Sequence, residues 1–407
     1  MIKRPLYLKQ IEPFIDKPVV KILVGIRRAG KSSILTQVRD ILEERGAEES
    51  QIITVNFESL EYSKIRSREE MIDLMRDLTG GDGRYYVLLD EVQLVDGWDE
   101  VVNGLLADGK SDVYITGSNS KLLSTELSTY LTGRYVEIRV YPLSFTEALE
   151  FKEARGLELG DLGAEFDEYI WKGGFPILHA FDYSLEDGDK IVEDIYASII
   201  YRDLIERKGI RNTELLARVI RFLFDNVGNV FSAKSVADYF KSELRKVDVE
   251  TVYKFIELLK EVFVVYEVKR YDVRGKAQLK TQEKYYLGDV GLLYALNGRK
   301  DSYRNGVLEN IVYLELISKG YDVHIGKNDD KEIDFVVEKK GQKMYLQVAL
   351  GISSAETRAR EFGAFGGIAD NYPKYVLTLE QGNGDEENGV VKKYLPEFLR
   401  ELKKEDR

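Results

Sequence analysis

Gly25-Ile26-Arg27-Arg28-Ala29-Gly30-Lys31-Ser32 sets two glycines, a lysine and a hydroxyl at the spacing G-x-x-x-x-G-K-[ST]. The apolar run Val19 to Val24 precedes it and a helical stretch opens at Ser32, so the chain runs strand, glycine turn, helix. A turn of that kind presents backbone N–H groups at a helix N-terminus, where they converge on an anion. Few folds accommodate this order. It requires a buried strand and a crossover helix, and therefore a layered α/β structure.

Four further strand-like runs follow at the intervals such a structure needs: Gln51 to Phe57, Tyr85 to Asp90, Asp112 to Gly117 and Tyr135 to Val140. They alternate with helical periodicity and read as near-continuous apolar segments, the pattern of a parallel sheet covered on both faces. The first domain is placed at residues 1–144. Within the turn, Gly25 and Gly30 permit close backbone approach, and the N–H groups of Arg28, Ala29, Gly30, Lys31, Ser32 and Ser33 face the phosphates. Lys31 is expected to reach the β- and γ-phosphates of ATP, and Ser32 to ligate Mg²⁺. Nothing in that chemistry requires Arg27 or Arg28, whose side chains read as solvated.

The run Tyr85 to Asp90 ends in Asp90-Glu91, two acids at the carboxyl end of a buried strand, where ligands bind in open α/β sheets. Asp90 is assigned to Mg²⁺ and Glu91 to activation of the attacking water. With Tyr114-Ile115-Thr116-Gly117-Ser118-Asn119, Leu131-Thr132-Gly133-Arg134 and Tyr141-Pro142-Leu143-Ser144-Phe145, the chain resembles the AAA+ ATPases. Within them it resembles the AAA_14/DUF4143 type, a likeness that extends to Tyr201-Arg202-Asp203, Tyr286 to Leu292 and Glu332-Ile333-Asp334-Phe335. The resemblance implies the strand order 5-1-4-3-2. In that order Ser118 or Asn119, of which Asn119 is preferred, orients the lytic water. Arg134 then falls where these proteins place an arginine finger for a neighbouring subunit, the alternative being a surface pair with Glu137. Glu58 reads as a surface carboxylate.

Composition removes competing chemistries. The 407 residues contain no Cys and two His, which excludes disulfides, thiolate metal sites and most histidine mechanisms. His179 and His324 stand alone and read as structural. The chain carries 59 basic and 71 acidic residues, a net charge of −12, so any nucleic-acid footprint must be local. No apolar run approaches the roughly 20 residues of a membrane span and no leader is evident, which points to a cytoplasmic protein.

The remainder divides into a helical lid (145–212), a winged helix (213–287) and an α/β domain (288–407). Helices Glu214 to Asn226, Ala233 to Ser242 behind a Ser232 cap, and Val249 to Val262, followed by a hairpin, give the winged-helix order. DNA is a candidate partner there. Residues 201 to 284 hold 18 basic and 13 acidic residues, and Lys269, Arg270, Arg274, Lys276 and Lys280 line the hairpin. The candidate recognition helix is acidic, which argues for a protein partner instead. In the last domain Glu309, Asp334 and Gln347-Val348-Ala349 resemble the PD-(D/E)XK nuclease arrangement, with Gln347 in the place of the second acid and Ala349 in the place of the lysine. The expectation is an ATPase whose nucleotide state moves the C-terminal domains on DNA or a protein, with homo-oligomers possible for an arginine finger. The alternatives are a nucleotide-switched binding module and a metal-dependent nuclease.

Overall fold

The computed structural model describes residues 2–120, 133–231, 236, 238–240, 248–275, 277–278 and 283–404. The helix expected after Ser120, with Leu131 and Thr132, lies outside the described residues, as do Ser232, most of the helix Ala233 to Ser242, Lys276 and Lys280. The chain divides into two compact units: residues 1–141 with 261–263, and residues 142–260 with 264–407.

In the first unit β1 (Val20–Val24), β2 (Ile52–Asn56), β3 (Tyr85–Asp90), β4 (Ser111–Gly117) and β5 (Tyr135–Arg139) form one five-stranded sheet. Its order is β2-β3-β4-β1-β5, and every neighbouring pair is parallel. This is the order 5-1-4-3-2 read from the other edge. β1 and β4 are buried along their whole length, as strands covered on both faces must be. Lys21 of β1 is the polar exception. It pairs with Asp112 of β4, both side chains fully enclosed, and Asp112 also accepts from Tyr114 Oη (2.7 Å) and from the Asp16 N–H (3.0 Å). Such a pair survives burial because the carboxylate oxygens are shared among three donors.

The second unit begins with helices Phe145–Ala154, Leu162–Lys172, Pro176–Ala180 and Leu185–Ser198, the last continuing into a π-helical stretch, Ile199–Glu206, that contains Tyr201-Arg202-Asp203. Ser144 and Glu147 form a capping box at the first of these. Helices Thr213–Asp225 and Val249–Glu261 follow, and β6 (Val265–Val268) pairs antiparallel with β9 (Lys284–Leu287). The three short strands around residue 270 carry a difference from the sequence reading. β7 (Arg270–Asp272) turns away from that hairpin, pairs with β8 (Ala277–Gln278), and runs parallel to β10 (Asp322–Asn328). β10 then continues through β11 (Lys331–Lys339), β12 (Gln342–Ala349), β13 (Lys374–Thr378) and β15 (Val390–Tyr394), with β14 (Glu386–Glu387) at the far edge. The line drawn at residue 287 therefore falls across one eight-stranded sheet.

The helical segment expected to be a lid packs within this second unit. Buried Glu315, on the helix Arg304–Ser318, accepts from the Phe145 N–H (3.1 Å) and the Thr146 hydroxyl (2.7 Å) at the start of the first helix. Asp289 accepts from the N–H groups of Gly174 (2.6 Å) and Gly291 (2.7 Å). A Cβ at Gly173 would lie 2.3 Å from Asp289 Oδ1, so the glycine break in the helices is dictated by that carboxylate. The segment Tyr286 to Leu292, singled out by resemblance alone, thus meets Gly173-Gly174 in space.

Candidate nucleotide site

The glycine turn leaves β1 at Val24 and enters the helix Lys31–Glu44 at Gly30, which stands in the left-handed region (φ 97°). Gly25 is required for a different reason. A Cβ there would sit 2.0 Å from the carbonyl oxygen of Val140, whose own N–H donates to Val24 O at 2.7 Å. The loop is therefore fitted against the chain that leaves β5, and no larger residue passes.

Lys31 is buried and its ammonium donates to Gly25 O (2.9 Å) and Ile26 O (3.1 Å), which holds it across the mouth of the loop. Ser32 opens the helix with an exposed side chain. Its hydroxyl comes within reach of the carboxylate of Asp90, which ends β3 two strands away, with β4 between. The Thr116 hydroxyl of β4 donates to the same carboxylate at Oδ1. Burial pushes the Asp90 carboxyl above its ordinary value, and the hydrogen bonds from Thr116 and Ser32 work against that push. A serine hydroxyl and a carboxylate meeting at a helix N-terminus are the hard oxygen donors that suit Mg²⁺.

Glu91 follows with φ 54°, a left-handed conformation uncommon for a side chain of this kind. The turn aims its buried carboxylate along the crest of the sheet, and Thr116 Oγ1 fixes the turn by accepting the Glu91 N–H at 3.0 Å. The carboxylate accepts from the Gln93 side-chain amide and lies 3.5 Å from the Ser118 hydroxyl. Of the two residues considered for orienting water, Ser118 is thus the one whose hydroxyl meets Glu91. Asn119 is buried beside it in sequence.

Arg134 stands elsewhere. Its carbonyl accepts the Val20 N–H at 2.8 Å, and β5 pairs with β1 in the register Val20↔Tyr135 to Val24↔Arg139. The glycine turn is at the Val24 end, so Arg134 is about 17 Å away along β1 at 3.3 Å per residue. Glu137, its alternative partner, is paired with Arg139 at 2.8 Å.

Arg27 corrects an expectation. It is buried, and its guanidinium pairs with Glu58 at 3.0 Å beyond β2, which also gives Glu58 a defined partner. Isolated loop charges read as solvated because sequence does not show that the segment after β2 comes back to the turn. Arg28 keeps the exposed position expected for it, at φ 67°.

Sequence reasoning missed Arg4, Gln37, Gln93 and Thr116 as site residues. Arg4 is buried, donates from Nη1 to Ala29 O in the loop (2.8 Å), and donates its N–H to Gln37 Oε1 (2.9 Å) on the helix that follows. Its guanidinium lies 4.5 Å over the Tyr7 ring, and Tyr7 Oη accepts the Tyr141 N–H at 3.0 Å. The apolar spacing Tyr7, Leu8, Ile11 was the available signal, since it marks a helix with one buried face.

His179 accords with a structural role: Nε2 lies 2.7 Å from Gly173 O, and burial lowers its pKa to about 4, so the ring is neutral. Two of the basic residues read as a DNA grip stand beside acids of the same chain. Arg270 lies 3.7 Å from Glu332, and Arg274 pairs with Asp329 at 2.8 Å. β7 had joined a sheet lined by acids. Among the described residues no helix is long and apolar enough to cross a membrane.

The family model of an AAA domain, AAA_14, matches residues 17–149. A second model, a domain of unknown function called DUF8612, matches residues 163–303, where the resemblance had implied DUF4143. An uncharacterized protein of Haemophilus influenzae is 38% identical over 402 residues, covering 98% of each chain. The uncharacterized protein MJ1544 of Methanocaldococcus jannaschii is 28% identical over 356 residues, 85% of this chain and 78% of that one. Among solved structures, the Walker-type ATPase PABY2304 of Pyrococcus abyssi is similar with a TM-score of 0.52 and 18% identity, over 73% of this chain and 96% of that chain. At that identity the likeness is one of fold.

Proposed function

We propose that this chain, which belongs to one family with the Haemophilus influenzae protein and carries an AAA domain over residues 17–149, is an Mg²⁺-dependent ATPase. The observation that carries the reading is the meeting of Ser32 with Asp90 at the mouth of the glycine turn, with Glu91 directly beyond. The loop N–H groups from Arg28 to Ser33 bind the phosphates. Lys31 exchanges its loop carbonyls for the β- and γ-phosphate oxygens. Ser32 and Asp90 would hold Mg²⁺. Bound there, the ion neutralises charge on the β- and γ-phosphates.

Glu91 takes the proton from the attacking water, and Ser118 with Asn119 orients that water beside the γ-phosphate. Products are ADP and inorganic phosphate. Arg134 is too far along β1 to reach its own chain's phosphates, so its role as an arginine finger requires a second copy of the chain. Nucleotide state is passed to the second unit and to a protein partner. The pairing of Arg270 and Arg274 with acids of the same chain takes support from a DNA partner.

One observation favours slow basal turnover. The Gln93 amide engages the Glu91 carboxylate and competes with water for the same oxygen. That suits a nucleotide-switched binding module in which a partner releases Glu91. The test is Glu91→Gln: ATP binding, measured by equilibrium titration with a fluorescent analogue, is retained while phosphate release is lost. Full turnover in that variant would remove Glu91 as the base.

A further inference from the structure

Lys284 occupies the centre of a carboxylate cluster in the second unit. It lies on β9, is buried, and its ammonium is 2.8 Å from Glu332 Oε1, 3.0 Å from Glu309 Oε2 and 3.6 Å from Asp334 Oδ1. The three acids come from the helix Arg304–Ser318 and from β11. Two further donors reach the cluster: Tyr286 Oη donates at 2.9 Å to Glu309 Oε2, the oxygen that also faces Lys284, and the Val348 N–H donates to the other oxygen of Asp334, Oδ2, at 2.8 Å. A fourth acid stands close by. Glu361 is buried, its charge reaches Asp334, and its Oε2 has no hydrogen-bond partner among the described residues.

Several anionic oxygens converging on one buried point repel one another unless a cation sits there. Hard carboxylate oxygens in such a set take Mg²⁺ or Mn²⁺. Here the point is filled by an ammonium. Burial acts against the charge on Lys284, and the surrounding carboxylates overcome it and hold the lysine protonated. The geometry points to Lys284 as a built-in cation that fills a divalent-metal site and keeps it closed. Gln347 fits the same arrangement. Its amide oxygen accepts the Asp334 N–H at 3.1 Å, so this side chain buttresses the strand in place of a further acid. The second unit is then a folded carboxylate site with its metal position permanently taken, and it does not cleave phosphodiesters.

The experiment uses the full chain, freed of metal with EDTA and titrated with Mn²⁺ in the absence of nucleotide, with binding followed by calorimetry and electron paramagnetic resonance. Lys284→Ala is expected to gain one Mn²⁺ site per chain. Lys284→Ala/Asp334→Asn is expected to lose it again, and the wild-type protein to lack it. Lys284→Ala/Glu332→Gln guards against misfolding, because it removes one anion together with the cation and leaves Glu309 and Asp334 as ligands. If either variant folds only when Mn²⁺ is present, as judged by circular dichroism, the metal has replaced the lysine and the inference stands. Three results overturn it: a folded Lys284→Ala that binds no Mn²⁺, variants that stay unfolded with and without Mn²⁺, or wild-type cleavage of plasmid DNA in Mn²⁺ that Asp334→Asn abolishes.

Discussion

The Thr116 hydroxyl donates to Asp90 Oδ1 while it accepts the N–H of Glu91, so one side chain of β4 sets both acids of the β3 tip. A threonine in the middle of the sheet links the residue assigned to Mg²⁺ with the residue assigned to the base. Thr116→Val keeps the shape and removes both bonds. Phosphate release should fall roughly tenfold to a hundredfold, the equivalent of one hydrogen bond to a charged group, with the dissociation constant for ATP changed much less. Unchanged kcat would show that Asp90 and Glu91 hold their places without Thr116.

Arg134 lies at the far end of β1 from its own glycine turn. Arg134→Ala should retain ATP binding and lose turnover by a large factor, about a hundredfold or more. Mixing it with Glu91→Gln should restore activity, because each mixed pair contains one intact Glu91 facing one intact Arg134. A mixture no more active than its two components would rule out action between copies.

Arg4 ties the start of the chain to Ala29 of the loop. Arg4→Ala leaves a buried carbonyl and the Tyr7 ring without their partner. A loss of about 1 to 3 kcal/mol in urea unfolding is expected, together with weaker ATP binding as the loop loosens. Wild-type stability and affinity in the variant would show the contact to be dispensable.

Asp289 has a pKa raised by burial to about 7, opposed only in part by the N–H groups of Gly174 and Gly291. Its unfolded value is near 4, so between about pH 4 and pH 7 the folded state binds the extra proton. Stability from this group is therefore full below about pH 4 and is lost progressively as pH rises to about 7, by up to about 4 kcal/mol, with no further change above that. Asp289→Asn should flatten that part of the unfolding profile between about pH 4 and pH 7. An identical pH dependence in wild type and variant would mean the carboxyl titrates normally.

Much of the first unit was legible because its signals are local. All five strands lie within a residue or two of their expected bounds, since buried parallel strands are apolar runs and glycine turns have fixed spacing. In the second unit the helical periodicity of Gly306 to Lys319 and the apolar runs near Tyr321 to Ile325, Glu332 to Glu338, Lys343 to Ala349 and Lys374 to Leu379 mark the helix Arg304–Ser318 and strands β10 to β13 on the same grounds. The partner of β7 was not. Periodicity marks a strand without naming its neighbour, and Arg270-Tyr271-Asp272 reads equally well as the arm of a hairpin or as the edge of another sheet.

The sequence by itself singled out Gly25, Gly30, Lys31, Ser32, Asp90 and Glu91 as the residues of the proposed phosphate site, because phosphate chemistry demands those residue types at set distances along the chain and beside one kind of strand. Only the tertiary structure decided what surrounds them. Arg27 is buried against Glu58, Gln93 holds Glu91, Arg4 props the loop, and Lys284 fills the space among Glu309, Glu332 and Asp334. Such charges look solvated in a sequence, since their cost is set by the dielectric and the partners found after folding. Gln93 apart, which stands two positions from Glu91, those partners come from tens of positions away along the chain, and no local pattern records the meeting.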